Sequence, residues 1–252
     1  MPQLRIALNQ IDSTVGDIDG NAESVLHWSR HAAAQGAHLV AFPEMMLTGY
    51  PVEDLALRSS FVEASRAALV DLARRLAEEG LGDLPVVVGY LGRSENAQPK
   101  YGQPAGAPQN CAAVLHNGTV ALRFAKHHLP NYGVFDEFRY FVPGDTMPVI
   151  RVRGVDVALA ICEDLWQDGG RVPAARSAGA GLLLSINASP YERTRTTPAW
   201  TCAASARRRP AARWPTWRWS AARTTWSSTA TPSWSPSAAT SSRGSRSSPS
   251  SA

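Results

Sequence analysis

Three polar side chains, each just after an apolar run, have the chemistry needed for nucleophilic catalysis. They are Glu44, Lys126 and Cys162. A carboxylate beside a buried strand is partly desolvated, which suits it to act as a general base. A cysteine that enters a turn can present a thiolate nucleophile, and a lysine can direct a compact charge at a developing oxyanion.

Each of these residues also fits an ordinary structural role when it is considered alone. Glu44 fits a surface loop, Lys126 fits a solvated position, and Cys162 fits a buried position that free cysteines commonly occupy. Lys126 is, however, one of two lysines in a chain with 23 arginines. Cys111 lies inside a predicted hairpin strand and Cys202 lies in the C-terminal segment, so neither is assigned a role.

The chain has no sequence feature of a metal site, a disulfide framework or a membrane protein. His127 and His128 are adjacent, have no other metal-type partners nearby, and are interpreted as structural, so no metal is expected. The three cysteines are scattered, which favours a reducing compartment. Neither a signal peptide nor an apolar run of membrane-spanning length is present. We therefore expect a cytoplasmic protein that does not interact with membranes.

The elements that must position the three side chains predict an α/β domain over residues 1–193. Amphipathic periodicity predicts helices at Asn21–Gln35 and Phe61–Glu79. Strand–helix–strand units mixed with hairpins predict a mixed sheet covered by helices. The predicted strands are Leu4–Asn9, His38–Phe42, Pro85–Tyr90, Cys111–Leu115, Val120–Phe124, Val149–Val152, Val155–Ile161 and Leu182–Asn187.

Residues 194–252 differ from the rest of the chain in composition and charge. The isoelectric point is near 9.2, yet no acidic residue follows Glu192 and residues 1–193 carry a formal net charge of −5. The C-terminal segment has no apolar period and holds six of the eight tryptophans. A disordered segment fits this composition poorly because disordered segments are usually poor in tryptophan. One alternative is a nucleic-acid-binding protein that uses Arg207–Arg209 and the neighbouring tryptophans.

The order Glu44, Lys126, Cys162 after successive strands resembles the nitrilase, or carbon–nitrogen hydrolase, superfamily. Further motifs are similar to the amidase domain of glutamine-dependent NAD⁺ synthetases, and the similarity extends from about residue 3 to Arg193. These motifs are Asn131–Glu137, Arg139–Phe141, Pro143–Gly144, Ile161–Trp166 and Asn187–Tyr191.

The resemblance implies an α-β-β-α sandwich, incomplete at the C-terminus, that hydrolyses the side-chain amide of L-glutamine. It implies that Glu44 is the base, Cys162 the nucleophile, and Lys126 with the backbone N–H of Glu163 the oxyanion support. It implies that Glu137 organises the site. The residues that it implies for the glutamine pocket are Tyr50, Tyr132, Phe135, Glu163 and Ser189.

The resemblance also sets expectations for cofactors and partners. The glutaminase step needs no cofactor, whereas ATP and Mg²⁺ would belong to a synthetase domain that this chain lacks. That domain would amidate nicotinic acid adenine dinucleotide, and the intact enzyme would form a homo-oligomer. The nearest alternative is a stand-alone amidase of the same superfamily that acts on another amide or on a nitrile.

The unusual composition of residues 194–252 also has an explanation at the level of the reading frame. In GC-rich codons, acidic segments typical of the family at this point, when read one base late, give residues 194–200 and 224–232. We therefore expect 194–252 to be a frameshift product, outside the amidase domain of 1–193 and disordered.

Overall fold

The computed structural model describes residues 3–95, 102, 104–167 and 170–189, together with the backbone of residues 220–224. Within them, the helices are α1 (Ile18–Ala34), α2 (Ser59–Glu78), α3 (Glu137–Tyr140) and α4 (Arg171–Ser177), with 3₁₀ helices at Glu53–Leu57 and Cys162–Leu165. The strands are β1 (Ile6–Leu8), β2 (Leu39–Ala41), β3 (Val86–Arg93), β4 (Pro108–His116), β5 (Thr119–Ala125), β6 (Val149–Val152), β7 (Val155–Ile161), β8 (Leu182–Ile186) and β9 (Ser220–Thr224).

The strands form two mixed sheets. The first has the order β1-β2-β3-β4-β5, in which β1 to β3 are parallel and β3 to β5 are antiparallel. The second has the order β6-β7-β8-β9, with an antiparallel β6–β7 hairpin followed by parallel pairs. The carboxyl ends of the parallel strands lie at one edge of each sheet, where catalytic side chains are commonly found.

The alternation of side chains along the strands divides the core into layers. In β2, Val40 joins the cluster that includes residues of α1 and α2, whereas Leu39 and Ala41 join residues of the second sheet. In β7, Leu159 faces the first sheet and Ala160 packs with residues of α4. The result is an α-β-β-α sandwich, which confirms the predicted fold class.

The predicted helices and strands of residues 1–193 are all present, with ends shifted by a few residues. The short helices α3 and α4 were not predicted, because one or two turns give too little periodicity to recognise. β9 was not predicted either, since residues 220–224 show no apolar alternation and were expected to be disordered with the rest of 194–252. It pairs with β8 in parallel, from Leu182↔Ser220 to Ile186↔Thr224, and such pairing uses main-chain groups that any sequence supplies.

Candidate active site

A buried ammonium lies between two buried carboxylates at the end of the first sheet. The Lys126 Nζ atom is 2.7 Å from Oε1 of Glu44 and 3.0 Å from Oε1 of Glu137. All three side chains are at most 2% exposed. A single cation thus serves two buried carboxylates, and the local net charge is −1 when both of them are ionised.

The fold brings these three residues together because each of them lies at or near the end of a strand or the start of a helix. Glu44 follows β2, Lys126 follows β5, and Glu137 is the first residue of α3. The chain around Glu44 passes directly over Gly89 of β3, where a Cβ atom would lie 2.3 Å from the Met45 nitrogen. Glycine is required at this position because any side chain would push the Glu44 loop away from the sheet.

Cys162 lies at the carboxyl end of β7 and opens the 3₁₀ helix Cys162–Leu165. Its φ angle is +44°, a left-handed conformation that non-glycine residues seldom adopt and that clusters at functional sites. Its Sγ atom is 3.6 Å from Oγ of Ser189. Ala188, the residue before Ser189, donates its backbone N–H to Oε2 of Glu44 at 2.9 Å. Two consecutive residues therefore contact the Cys162 thiol and the Glu44 carboxylate.

The electrostatics of the site keep the resting thiol protonated. Burial raises the pKa of Cys162 above its ordinary range, the charge of Glu44 raises it further, and the charge of Lys126 opposes both. Burial alone would lower the pKa of Lys126, but the charges of Glu44 and Glu137 raise it well above its usual value. Lys126 is therefore a cation, and any nucleophilic attack by the thiol would require a base that removes its proton.

Burial has a different effect on Glu137. It raises the pKa of this carboxyl to about 7, although the neighbouring Lys126 ammonium acts in the opposite direction. Oε1 of Glu137 accepts from Lys126 and, at 3.0 Å, from the Tyr50 hydroxyl. Oε2 is buried and has no hydrogen-bond partner. Glu137 therefore changes protonation state near neutral pH.

Comparison with known proteins identifies the family. Residues 5–216 match the model of the carbon–nitrogen hydrolases. This chain belongs to the carbon–nitrogen hydrolase family. The chain is 37% identical over 193 residues to the glutamine-dependent NAD(+) synthetase of Thermotoga maritima, covering 76% of this chain and 31% of that protein. The chain thus spans about a third of the length of the curated relatives it matches.

Two solved structures share the fold of this carbon–nitrogen hydrolase. The glutamine-dependent NAD⁺ synthetase of Acinetobacter baumannii has a TM-score of 0.65 and 34% identity, covering 75% of this chain and 33% of that chain. An amidase from Nesterenkonia sp. has a TM-score of 0.67 and 24% identity, covering 88% of this chain and 76% of that one. The likeness to the amidase shows the fold alone.

Asn110 belongs to the site of this carbon–nitrogen hydrolase, although the sequence analysis did not assign it a role. Its Nδ2 atom donates to Oε1 of Glu44 at 2.8 Å and lies 3.4 Å from Oε1 of Glu137. Its backbone carbonyl accepts the N–H of Lys126 at 2.8 Å. An asparagine directly before the apolar residues 111–115 of β4 was the available signal. Asn110 holds the carboxylates and the lysine in one arrangement.

Glu163, the residue after Cys162, carries a second buried carboxylate. The Glu163 carboxylate is 4% exposed and accepts from the Tyr132 hydroxyl at 2.8 Å and from Nε2 of Gln167 at 2.5 Å. The Phe135 ring is 5.7 Å from the Tyr132 ring and 6.4 Å from the Tyr50 ring, centroid to centroid. The structure therefore brings together the predicted pocket residues, with Gln167 as an addition that the sequence analysis missed.

Other expectations concern residues away from the thiol. His127 and His128 pack edge to face with centroids 4.6 Å apart, and the described residues contain no cluster of three or more His, Cys, Asp or Glu that could hold a metal. None of the helices in the described ranges is long and apolar enough to cross a membrane. The Arg207–Arg209 segment and its neighbouring tryptophans lie outside the described residues, so the nucleic-acid alternative stays untested.

Proposed function

We propose that this carbon–nitrogen hydrolase hydrolyses the side-chain amide of L-glutamine to glutamate and ammonia. The observation that carries the proposal is the contact of consecutive residues with both reacting groups. Ala188 holds the Glu44 carboxylate, while Ser189 contacts the Cys162 thiol. Lys126, hydrogen-bonded to Glu44, supplies a fixed positive charge at the same place. Base, nucleophile and cation are the minimum set for cysteine-based amide hydrolysis.

The proposed reaction proceeds in two steps through a thioester. Glu44 takes the proton from Cys162 as Sγ bonds to the amide carbon, and the oxyanion is stabilised by Lys126 and the N–H of Glu163. That N–H lies in the first turn of a 3₁₀ helix, where backbone N–H groups lack partners within the helix. The C–N bond then breaks, and ammonia leaves with the proton that Glu44 held. Water, deprotonated by Glu44, cleaves the thioester and regenerates the thiol.

The pocket around the thiol supports an amino acid as substrate. Glu163 presents a buried carboxylate that suits a cationic α-ammonium group, and Tyr132 and Gln167 hold its two oxygens. The neighbouring aromatic rings of Tyr50 and Phe135 would border the methylene groups of a bound glutamine. The similarity to glutamine-dependent NAD(+) synthetases over three quarters of this chain favours glutamine among such substrates.

The ammonia has a proposed use in a second reaction. A synthetase domain would use ATP and Mg²⁺ to amidate nicotinic acid adenine dinucleotide with it. The glutaminase step itself needs no cofactor, because its residues supply the base, the nucleophile and the positive charge. We place the reaction in the cytoplasm, where a free thiol stays reduced. Homo-oligomer formation stays a prediction.

Steady-state assays of the 252-residue chain test this function. We expect ammonia and glutamate from L-glutamine, and little product from short aliphatic amides or nitriles. Cys162→Ala should abolish turnover, because the covalent step is lost. Cys111→Ala is the matched control, since Cys111 is buried in β4 and has no part in the reaction. A preference for short amides or nitriles over glutamine would favour a stand-alone amidase instead.

A further inference from the structure

The carboxylate of Asp164 joins the two segments that carry Lys126 and Cys162. Oδ1 of Asp164 accepts the backbone N–H of His128 at 2.8 Å and that of His127 at 3.1 Å. Oδ2 lies 3.4 Å from the N–H of Ile161. The side chain is buried, with the whole residue 1% exposed. One carboxylate therefore binds the residues that follow the lysine and the residue that precedes the cysteine.

These hydrogen bonds connect the two sheets of the sandwich. Lys126 follows β5 of the first sheet, and Cys162 follows β7 of the second. Apolar packing between the sheets fixes their separation but is not directional. Hydrogen bonds from backbone N–H groups to an ionised carboxylate are directional and stronger than neutral ones. Asp164 can therefore set the relative position of two loops more closely than packing does.

We propose that Asp164 is a positioning residue that holds the Lys126 ammonium in register with the Cys162 thiol. The inference rests on the proposed amidohydrolase function, in which the ammonium must meet charge that develops next to the sulfur. Asp164 does not contact Sγ in this arrangement, so it acts through the backbone of both loops. Its effect should appear in the chemical step more than in glutamine binding.

The other charged groups around Asp164 fit this role. Burial raises its pKa, whereas the N–H of His128 and the charges of Lys126 and Arg171 act in the opposite direction. Arg171 is itself held by the carbonyl oxygens of Gly144 and Asp145, 3.3 Å from each. A carboxylate accepts at both oxygens, whereas an asparagine must turn an NH₂ group toward one of the backbone donors. Asp164→Asn therefore removes the hydrogen bonds to one of the two loops with almost no change of side-chain volume.

Kinetics of Asp164→Asn test the proposal. We expect kcat for glutamine to fall about 10- to 100-fold while KM changes less than about threefold, as for a lost charge-assisted hydrogen bond that acts in the transition state. Asp156→Asn is the matched control, because Asp156 lies on the exposed β6–β7 hairpin in an ion pair with Arg151. A folded Asp164→Asn variant with the kcat of the unchanged chain would overturn the proposal.

A second measurement works without glutamine. The rate at which iodoacetamide alkylates Cys162 is followed against pH, with the modified peptide located by mass spectrometry. The loss of the Asp164 charge alone would move the midpoint of the profile to lower pH, whereas loosening the Lys126 loop removes positive potential from the thiolate and moves it to higher pH. The positioning role therefore predicts a midpoint at higher pH in Asp164→Asn and no shift in Asp156→Asn. An unshifted midpoint would contradict the role of Asp164.

The two readouts separate the failure of this inference from failure of the proposed function. If the unchanged chain releases no ammonia from glutamine, the glutaminase proposal fails, yet the alkylation profiles still decide the role of Asp164. Asp164→Glu provides the second variant should Asp164→Asn fail to fold. Its longer side chain keeps the charge but displaces one of the two loops, so it should show a smaller shift in the same direction. An unchanged pH profile of alkylation in Asp164→Glu would also contradict the positioning role of Asp164.

Discussion

Replacing Lys126 by methionine removes the cation between two buried carboxylates and should strongly destabilise the domain. The local charge changes from −1 to −2, while Glu44 and Glu137 stay at most 2% exposed. Removing one partner of a buried ion pair costs about 3–5 kcal/mol, because an uncompensated charge stays behind. The chain loses the hydrogen bonds of 2.7 and 3.0 Å at the same time. We therefore expect the free energy of unfolding to fall by about 3–5 kcal/mol.

The pH dependence of this loss identifies its electrostatic origin. The pKa of Glu137 is about 7 in the unchanged chain, where the Lys126 charge lowers it, so this pKa rises further in Lys126→Met. As the pH falls, Glu137 takes up a proton, which removes one of the two unpaired charges. The destabilisation by Lys126→Met should accordingly be larger at about pH 8 than at about pH 5. Adding Glu137→Gln to Lys126→Met restores the local charge of −1 and should recover part of the loss at about pH 8.

Urea unfolding followed by circular dichroism at both pH values measures these differences. Arg151→Met is the control, because Arg151 belongs to an exposed pair with Asp156 and should change stability by less than about 1 kcal/mol. A loss below about 1 kcal/mol for Lys126→Met, or a loss of equal size at both pH values, would refute the reasoning.

Three further predictions concern single contacts. The raised pKa of Glu137 means that its contribution to stability is fully present below pH 4.5 and is lost as the pH rises through about 7. Glu137→Gln should therefore flatten the plot of unfolding free energy against pH in this range. Superimposable plots for the variant and the unchanged chain would contradict the raised pKa. Tyr132→Phe removes the 2.8 Å hydrogen bond to Glu163 and should raise KM for glutamine about fivefold with kcat nearly constant, so an unchanged KM would exclude Tyr132 from the pocket. Asp17 caps α1 by accepting the Gly20 N–H at 3.0 Å; Asp17→Ala should lower the unfolding free energy by about 1 kcal/mol in urea titrations, and an unaltered midpoint would show that the cap contributes nothing.

Much of the sandwich was predictable because its strands are short, apolar and bounded by turn residues. Leu39–Ala41 and residues 157–161 of β7 are buried on both faces, so they appear in the sequence as continuous apolar runs. The Asn117-Gly118 pair, with positive φ angles at both residues, marked the β4–β5 hairpin. β9 left no such mark, because its pairing depends on main-chain groups.

The site was predictable where a polar residue follows a strand, and less so where the contact depends on the tertiary fold. Glu44 and Lys126 could be proposed from position alone. The contact between Glu44 and the Ala188 N–H spans 144 residues and involves a backbone group that has no sequence signature. Asn110 lies within a strand, and its amide acquires its role only when the fold brings Glu44 and Glu137 beside it.

The central claim is that Cys162 forms a covalent bond to the substrate. Acid quenching of the 252-residue chain during turnover of L-glutamine, followed by peptide mass spectrometry, measures this directly. The account predicts a glutamyl group attached to the peptide that contains Cys162, and no such adduct in Cys162→Ala. Glutamine turnover that persists in Cys162→Ala would contradict it.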